Sequence, residues 1–365
     1  MHFKHVLAPF AVLAAASSCT AFPPSSTSTS TTSSGGPQDV VLAAPAANEG
    51  FQYGTGPFEV GPGDEVQDCY FFQIPGAATD EVWVNKVELA MNEGSHHMNM
   101  FRVRTQDGLR TPDNGGAVIQ RAKNGTGECF KSPNWADWPL IINTQQGGHL
   151  DWTLPTGVAH LFHGGEWVML QTHYVNATTQ DSPLGGAVKV NFWTTPATAV
   201  EHELGTLFAT KQSIRICQND DAPKFAGSCQ FNATTPLTVI GANGHFHSRG
   251  KQFEMFTWDG TSVDEPAVAE RFYMSEVWDD PPMSRSPELT RTIPANGGVW
   301  YTCSYDWQAP PASVGCDGLN AADRAKGTAE DDLDCCYTFG GIVEKSEHCN
   351  IFVYYYPKVD DINCF

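Results

Sequence analysis

The segment Gly244-His245-Phe246-His247-Ser248-Arg249-Gly250-Lys251 places two histidines two residues apart. On an extended strand such side chains leave from one face, so both imidazoles can reach a single ion. Leu237-Thr238-Val239-Ile240 leads in and Lys251 to Phe256 leads out with β-forming residues, while Gly241 and Gly244 permit a bend between them. A His-x-His pair is also common where no metal binds, so the chemistry turns on further ligands. Three other places qualify. Gly94-Ser95-His96-His97-Met98-Asn99-Met100 follows the strand pattern Val82 to Ala90. Neighbouring side chains on a regular strand point to opposite faces, so His96 and His97 can share an ion only at a bulge, a twist or a strand end. His173 sits in the strand pattern Leu170-Gln171-Thr172-His173-Tyr174-Val175. Glu347-His348-Cys349-Asn350-Ile351-Phe352-Val353-Tyr354-Tyr355-Tyr356 reads as a late core strand on which His348 and Asn350 share one face, leaving Cys349 free for a disulfide.

The elements that must position these residues are short runs rich in Val, Phe, Tyr, Trp and Thr, punctuated by Gly, Pro, Asn and Asp. Cys69 to Ile74, Glu81 to Met91, Trp167 to Val175 and Ala187 to Trp193 read as strands, and few windows show helical periodicity. A chain of 365 residues exceeds the usual size of one core, so the expectation is an all-β protein of two antiparallel β-sandwich domains, 39–196 and 197–365, divided near Thr195-Pro196-Ala197. Asp and Glu outnumber Lys and Arg by 41 to 21, a formal charge of −20 that disfavours nucleic acid or an anionic membrane surface as partner.

Residues 1–19 have the form of an export signal: His2, Lys4 and His5 precede an apolar run, Val6 to Ala16, too short to span a membrane. Ser17-Ser18-Cys19 then offers two readings, a lipoprotein processing site with lipid on Cys19 as the one membrane anchor, or ordinary cleavage nearby into the periplasm or medium. The Ser- and Thr-rich stretch 20–38 has little to bury and reads as a disordered tether. Eleven cysteines fit an oxidising compartment, and without Cys19 the remaining ten can pair as disulfides. The neighbours Cys335 and Cys336 are expected to bond to different partners. No Cys-x-x-Cys is present to favour a thiolate zinc site, and no Gly-x-Ser-x-Gly elbow points to a serine hydrolase.

Taken in order, His96-His97-Met98, Leu170-Gln171-Thr172-His173-Tyr174, His245-Phe246-His247-Ser248-Arg249-Gly250-Lys251 and Cys349-Asn350-Ile351-Phe352-Val353-Tyr354-Tyr355 resemble the motifs of the copper type II, ascorbate-dependent monooxygenases. That family includes peptidylglycine alpha-hydroxylating monooxygenase and dopamine beta-monooxygenase. The likeness runs from about Gly54 to Pro357 and takes in Leu154-Pro155-Thr156-Gly157-Val158. It implies two jelly-roll domains with one copper each, facing across a solvent-filled cleft. His96, His97 and His173 would hold the electron-transfer copper, and His245 and His247 would supply two ligands of the catalytic copper. It also implies a Cys303–Cys349 disulfide bracing the last ligand strand. The activity implied is hydroxylation of a substrate C–H bond with O2 and a reductant such as ascorbate, with no general base required. His149, His160, His163 and His202 then need no catalytic role and read as structural or exposed.

Two departures bear on function. The family's third catalytic ligand is a methionine just before Cys-Asn, and here that position is His348, which makes a site of three imidazoles. Met255, Met274 and Met283 are the remaining thioethers that could substitute. The arginine and tyrosine that help hold a peptide carboxylate in the amidating enzyme correspond to Asn243 and Phe352; Asn350 is retained as a candidate substrate-binding residue. Peptide amidation is therefore disfavoured, and the acidic insertion around Glu330-Asp331-Asp332 leans only toward cationic or neutral molecules. The alternative function is an exported copper scavenger or carrier on the same ligands.

Overall fold

The computed structural model describes residues 39–92, 95–104, 118–123, 126–127, 138–145, 147–176, 183–319 and 335–365. The export segment with Cys19, the tether, Gly94 and the acidic stretch around Glu330 lie outside the described residues.

The chain is all-β, built as two antiparallel β-sandwiches of jelly-roll type. In the first, one sheet runs Gly50–Gly54, Val188–Thr194, Glu81–Met91, Val158–His163, His202–Glu203, with Gly148–Thr153 also on Glu81–Met91. The other runs Thr126–Gly127, Val118–Lys123, Glu65–Gln73, Trp167–Val175, Ser95–Arg102, Leu140–Thr144. In the second sandwich, Gly205–Thr210, Asn350–Tyr356 and Leu237–His245 form one sheet, with Ser284–Arg285 and Arg291–Ile293 on its far edge. The opposing sheet runs Arg271–Ser275, Gly250–Trp258, Gly298–Tyr305, Lys224–Phe231, Ile362–Cys364.

Hydrophobic residues divide into two cores between Leu204 and Leu207, but the division is not clean. Phe208, Ile240, Met283, Phe352 and Tyr354 of the second half pack into the first core, and the described residues all fall within one compact unit. The junction is polar as well as apolar. The Asn143 backbone N–H donates to the Tyr354 hydroxyl over 2.8 Å, that hydroxyl donates to Asn143 Oδ1 over 2.7 Å, and Asn143 Nδ2 donates to Asn243 Oδ1 over 3.1 Å. Trp152 Nε1 donates to Ser286 Oγ at 3.1 Å from the other side. Gly241 is required there: a Cβ would come within 2.8 Å of the Trp152 ring and 3.0 Å of Tyr354. A residue with a side chain at 241 would hold the sandwiches apart.

Disulfides tie the second sandwich. Cys217–Cys336 and Cys316–Cys335 give the vicinal pair separate partners, Cys229–Cys364 secures the last strand, and Cys303–Cys349 is the pair that the resemblance implies. Cys69 is also disulfide-bonded. Bonds of this number belong to an oxidising compartment outside the cytosol. The Cys303–Cys349 bond spans a sequence separation of 46 and anchors the backbone next to His348. Replacing both cysteines with alanine is expected to lower unfolding stability by about 2–4 kcal/mol. Denaturant titration measures that loss, and metal affinity at His348 is expected to fall with it.

Candidate metal centre

A backbone irregularity resolves the problem posed by His96 and His97. Opposite the Ser95–Arg102 strand, His173 pairs with His97 and Tyr174 pairs with Ser95, so His96 is the extra residue of a β-bulge. The bulge lets both rings turn inward: both residues are buried, and the rings lie 5.1 Å apart. His173 follows from register alone, its ring 4.6 Å from that of His97 and 4.9 Å from that of His96.

The other ligands gather where two strands of the second sandwich end. His245 is the last residue of Leu237–His245 and pairs with Asn350, while His247 lies just past the strand with its ring 5.3 Å from that of His245. His348 and Cys349 fall between the short Ser346–Glu347 strand and Asn350–Tyr356, so the continuous strand expected through Glu347 to Tyr356 is interrupted at the ligand. The reason is local. The Tyr305 hydroxyl donates to the His348 carbonyl over 2.5 Å, so His348 takes a partner outside the ladder, while the disulfide holds the Cys349 side chain and the Cys349 carbonyl accepts the Lys211 N–H. His348 stands 4.5 Å from His247 and 5.2 Å from His245, ring to ring.

The two groups of histidines are contiguous. The His96 ring is 4.8 Å from that of His245 and 5.7 Å from that of His247, and His97 is 5.0 Å from His245. The expected arrangement across an open cleft therefore gives way to a single buried cluster, because Asn143, Tyr354 and Trp152 draw the sandwiches together at this end. Ligand atoms of His245, His247 and His348 fall within 4.8 Å of one another, as do those of His96, His97 and His245. His173 stands beside the latter group with its Nε2 held 2.7 Å from Glu65 Oε1.

Each of the six rings carries one buried nitrogen with no hydrogen-bond partner: Nε2 of His96, His245 and His247, and Nδ1 of His97, His173 and His348. Leaving such an atom unpaired costs about 1–3 kcal/mol. Six are comparable with the net stability of a whole domain, about 5–15 kcal/mol. A bound metal removes that cost, and the donor set suits an ion that accepts imidazole. Partners on the opposite nitrogens orient three rings: Gln145 Oε1 lies 2.8 Å from His245 Nδ1, the Ser346 carbonyl 2.8 Å from His247 Nδ1, and Glu65 faces His173. Such contacts fix the tautomer and direct the free nitrogen. Behind them, buried Glu347 accepts the backbone N–H groups of His247 and Arg249 at 2.7 and 3.0 Å and pairs with Arg249 Nε at 2.7 Å.

Burial holds the imidazolium forms of His96, His97, His245 and His247 far below the ordinary range, and neighbouring histidines push the same way. His348 is pushed down to about 3, first by burial and then by His173. All five are therefore neutral at neutral pH, the state a metal requires.

Beside the cluster lies a cavity of about 250 Å³, lined in part by His97, His245, His348 and Asn350. A larger cavity of about 750 Å³, near Trp138 and His160, contains no ligand histidine. Its Arg102 and Lys358 are paired with Glu166 and Glu203. Of the histidines outside the site, His149, His163 and His202 are exposed, whereas His160 is buried against Phe162. Met255 and Met283 belong to the cores and Met274 is exposed. Sequence reasoning missed Glu65, Gln145 and the roles of Arg249 and Glu347. Their only local signal is a pair of opposite charges close to the histidines, Glu347 immediately before His348 and Arg249 two residues after His247.

Two outcomes follow. Glu65→Gln removes the carboxylate that orients His173 and is expected to lower metal affinity about 10–100-fold, measured by competition with a chelator. For the metal-free protein, the unfolded chain takes up protons on His96, His97, His245, His247 and His348 below about pH 6.5, whereas in the folded chain burial holds these five rings neutral to lower pH. Stability is therefore full above that pH and is lost as the pH falls, by up to about 1.4 kcal/mol per ring per pH unit. For His348 the loss continues toward pH of about 3. Comparison of denaturant midpoints at about pH 7.5, above this window, and at about pH 5.5, within it, checks the sign.

No protein-family model and no curated protein matches the chain. Among solved structures it is similar to PNGase F, a glycosylasparaginase from Flavobacterium meningosepticum, at 9% identity and TM-score 0.33, covering 87% of this chain and 99% of that one. It is also similar to the major capsid protein P2 of bacteriophage PM2, at 12% identity and TM-score 0.23, covering 79% and 96%. Likenesses this distant carry no argument about function.

Proposed function

We propose that the chain is a copper-dependent monooxygenase that hydroxylates a C–H bond of a small organic substrate with O2 and an external reductant such as ascorbate. The observation that carries this reading is the cluster of six buried imidazoles, each with an unpartnered nitrogen, forming part of the wall of a cavity. His96, His97 and His173 would hold one copper, and His245, His247 and His348 the catalytic one. The imidazole set is compatible with copper, and the order of the sequence motifs selects copper among the metals that imidazole suits.

When bound, copper supplies the one-electron redox chemistry and the activation of O2. The chain supplies position. Gln145 Oε1 accepts the His245 Nδ1–H and the Ser346 carbonyl accepts the His247 Nδ1–H, which leaves both Nε2 atoms unprotonated toward the ion. Glu65 performs the same service for His173 from the opposite ring nitrogen. Asn350, across the strand pair from His245, and Phe352 line the space where a substrate would sit. No side chain is asked to act as a general base. A copper scavenger would use the same ligands, and the cavity against His245 and His348 is what favours the enzyme. Export through residues 1–19 with lipid on Cys19 would place the folded body at the cell envelope.

Copper content of the chain after loading and removal of excess tests the reading. Wild type is expected to hold two ions and His348→Ala one, with ascorbate-driven oxygen consumption lost in the variant. One ion in both, or zinc kept in preference to copper, would overturn it. His348→Met exchanges an imidazole for a softer thioether that favours Cu(I). A redox titration is accordingly expected to show a higher Cu(II)/Cu(I) potential at that site in the variant than in wild type.

A further inference from the structure

We propose, resting on the monooxygenase reading, that the cavity beside His245 and His348 takes an uncharged molecule carrying a carboxamide or a similar donor-plus-acceptor group, and rejects carboxylates and ammonium ions. The lining is unusual in its polar chemistry. Five carboxamide side chains, Gln67, Asn99, Gln145, Gln171 and Asn350, accompany the histidines and two phenylalanines, Phe339 and Phe352, and no Asp, Glu, Lys or Arg is among the described lining residues.

Three of those amides are buried and incomplete. Asn99 is 4% exposed, Gln145 1% and Asn350 2%, and Asn99 Oδ1, Gln145 Nε2 and Asn350 Oδ1 have no hydrogen-bond partner. Two orientations are set by neighbours: Asn99 Nδ2 donates to Gln171 Oε1 over 3.2 Å, and Gln145 Oε1 is taken by His245. Apart from the unpartnered nitrogens of His97, His245 and His348, which the proposed metals would take, these three amides offer one donor and two acceptors. A primary carboxamide is the complement, its oxygen accepting from Gln145 and its NH2 donating to Asn99 and Asn350. A carboxylate would set its oxygens against two acceptors, and an ammonium would leave the Gln145 N–H unmet.

Charge decides further. An ion buried without a counter-charge loses its hydration for no compensating pair, a larger cost than any neutral hydrogen bond returns. The position that aligns with an arginine in the peptide-amidating enzyme supplies no cation here, since Asn243 is fully buried and bonded to Asn143. The net charge of −20 does not replace local pairing, because salt screens distant charges beyond about 8 Å. At about 250 Å³ the space lies below the 300–1,000 Å³ of drug-sized pockets, which limits the occupant to a small molecule.

Three molecules of one shape test this: benzamide, benzoate and benzylamine, titrated calorimetrically into the full chain. Copper would add positive charge to one wall, so the comparison is made first without metal. Benzamide is expected to bind at least tenfold more tightly than either ion, and the copper(I)-loaded chain is expected still to reject benzylamine. Asn350→Asp is expected to shift the preference at least tenfold toward benzylamine, and Asn350→Leu to weaken benzamide while copper content stays at the wild-type value. Equal or tighter binding of benzoate or benzylamine to wild type, or no binding of benzamide, overturns the proposal without need of a variant. Copper content and ascorbate-driven oxygen consumption on the same preparations separate the two readings. Selective benzamide binding in a chain that takes no copper would sink the enzyme and leave the cavity assignment standing. Two coppers and oxygen consumption with a charged preference would do the reverse.

Discussion

Six imidazoles buried together, each short of one partner, are the constraint around which this molecule is arranged. Neutral imidazole has one donor and one acceptor nitrogen, and a core satisfies both or meets a desolvation cost. Here one nitrogen of His173, His245 and His247 is anchored by Glu65, Gln145 and Ser346, while the other is left without a protein partner. An unpartnered nitrogen on every ring, from four separate chain segments, distinguishes the cluster from histidines that happen to lie in a core. His160, buried against Phe162 and outside the cluster, illustrates the ordinary case.

Contiguity of the rings depends on the junction between the sandwiches. Ile142-Asn143-Thr144-Gln145 leaves the first sandwich and contributes in both directions: Asn143 binds Tyr354 and Asn243 of the second sandwich, and two residues later Gln145 reaches His245. A ligand of the second sandwich is therefore oriented by a residue of the first. Any change that parts the halves, such as a side chain at Gly241, would act on the tautomer of His245 without touching a ligand. Orientation of the His245 ring is thereby coupled to the packing of the two sandwiches.

Much of this was legible in the amino-acid order. Glu81–Met91 and Trp167–Val175 coincide with the runs expected from β-forming residues bounded by turn formers, because each strand is half-buried and its pattern is local. The six histidines could be named because the order of four motifs resembles that of the copper type II, ascorbate-dependent monooxygenases, and the structure brings those six rings together. What could not be read was set by tertiary contacts. The bulge at His96 exists only in the pairing with His173 and Tyr174, and the break in the strand at His348 goes with the bond that the Tyr305 hydroxyl donates to the His348 carbonyl. Glu65 begins a strand opposite the end of the one bearing His173, an alignment fixed by register over nine pairs. Gln145 lies a hundred residues from the ring it orients. The closure of the expected cleft likewise follows from side chains meeting across the junction, for which the chain order holds no periodic signal.

The Arg249–Glu347 pair completes the logic of the second site. Both residues are almost wholly buried, and burying two charges costs about as much as their attraction returns, so the pair adds little net stability. Its value lies in where it sits. Glu347 immediately precedes His348 and accepts the backbone N–H groups of His247 and Arg249, while Arg249 donates to the carbonyls of Val343 and Ser346 and lies 4.2 Å over the Tyr337 ring. The Ser346 carbonyl is the same one that faces His247 Nδ1. One ion pair thereby reinforces the link between the loop carrying His247 and the segment carrying His348, two stretches about a hundred residues apart in sequence that also meet through the Ser346 carbonyl and the pairing of His245 with Asn350. Apolar residues of equal volume could fill the space, but they could not hold those N–H and carbonyl groups in place. A rigid pair of strand ends with ring nitrogens already oriented would avoid reorganisation on the binding of an ion. That preorganisation accounts for why a costly buried charge pair stands directly behind the ligands.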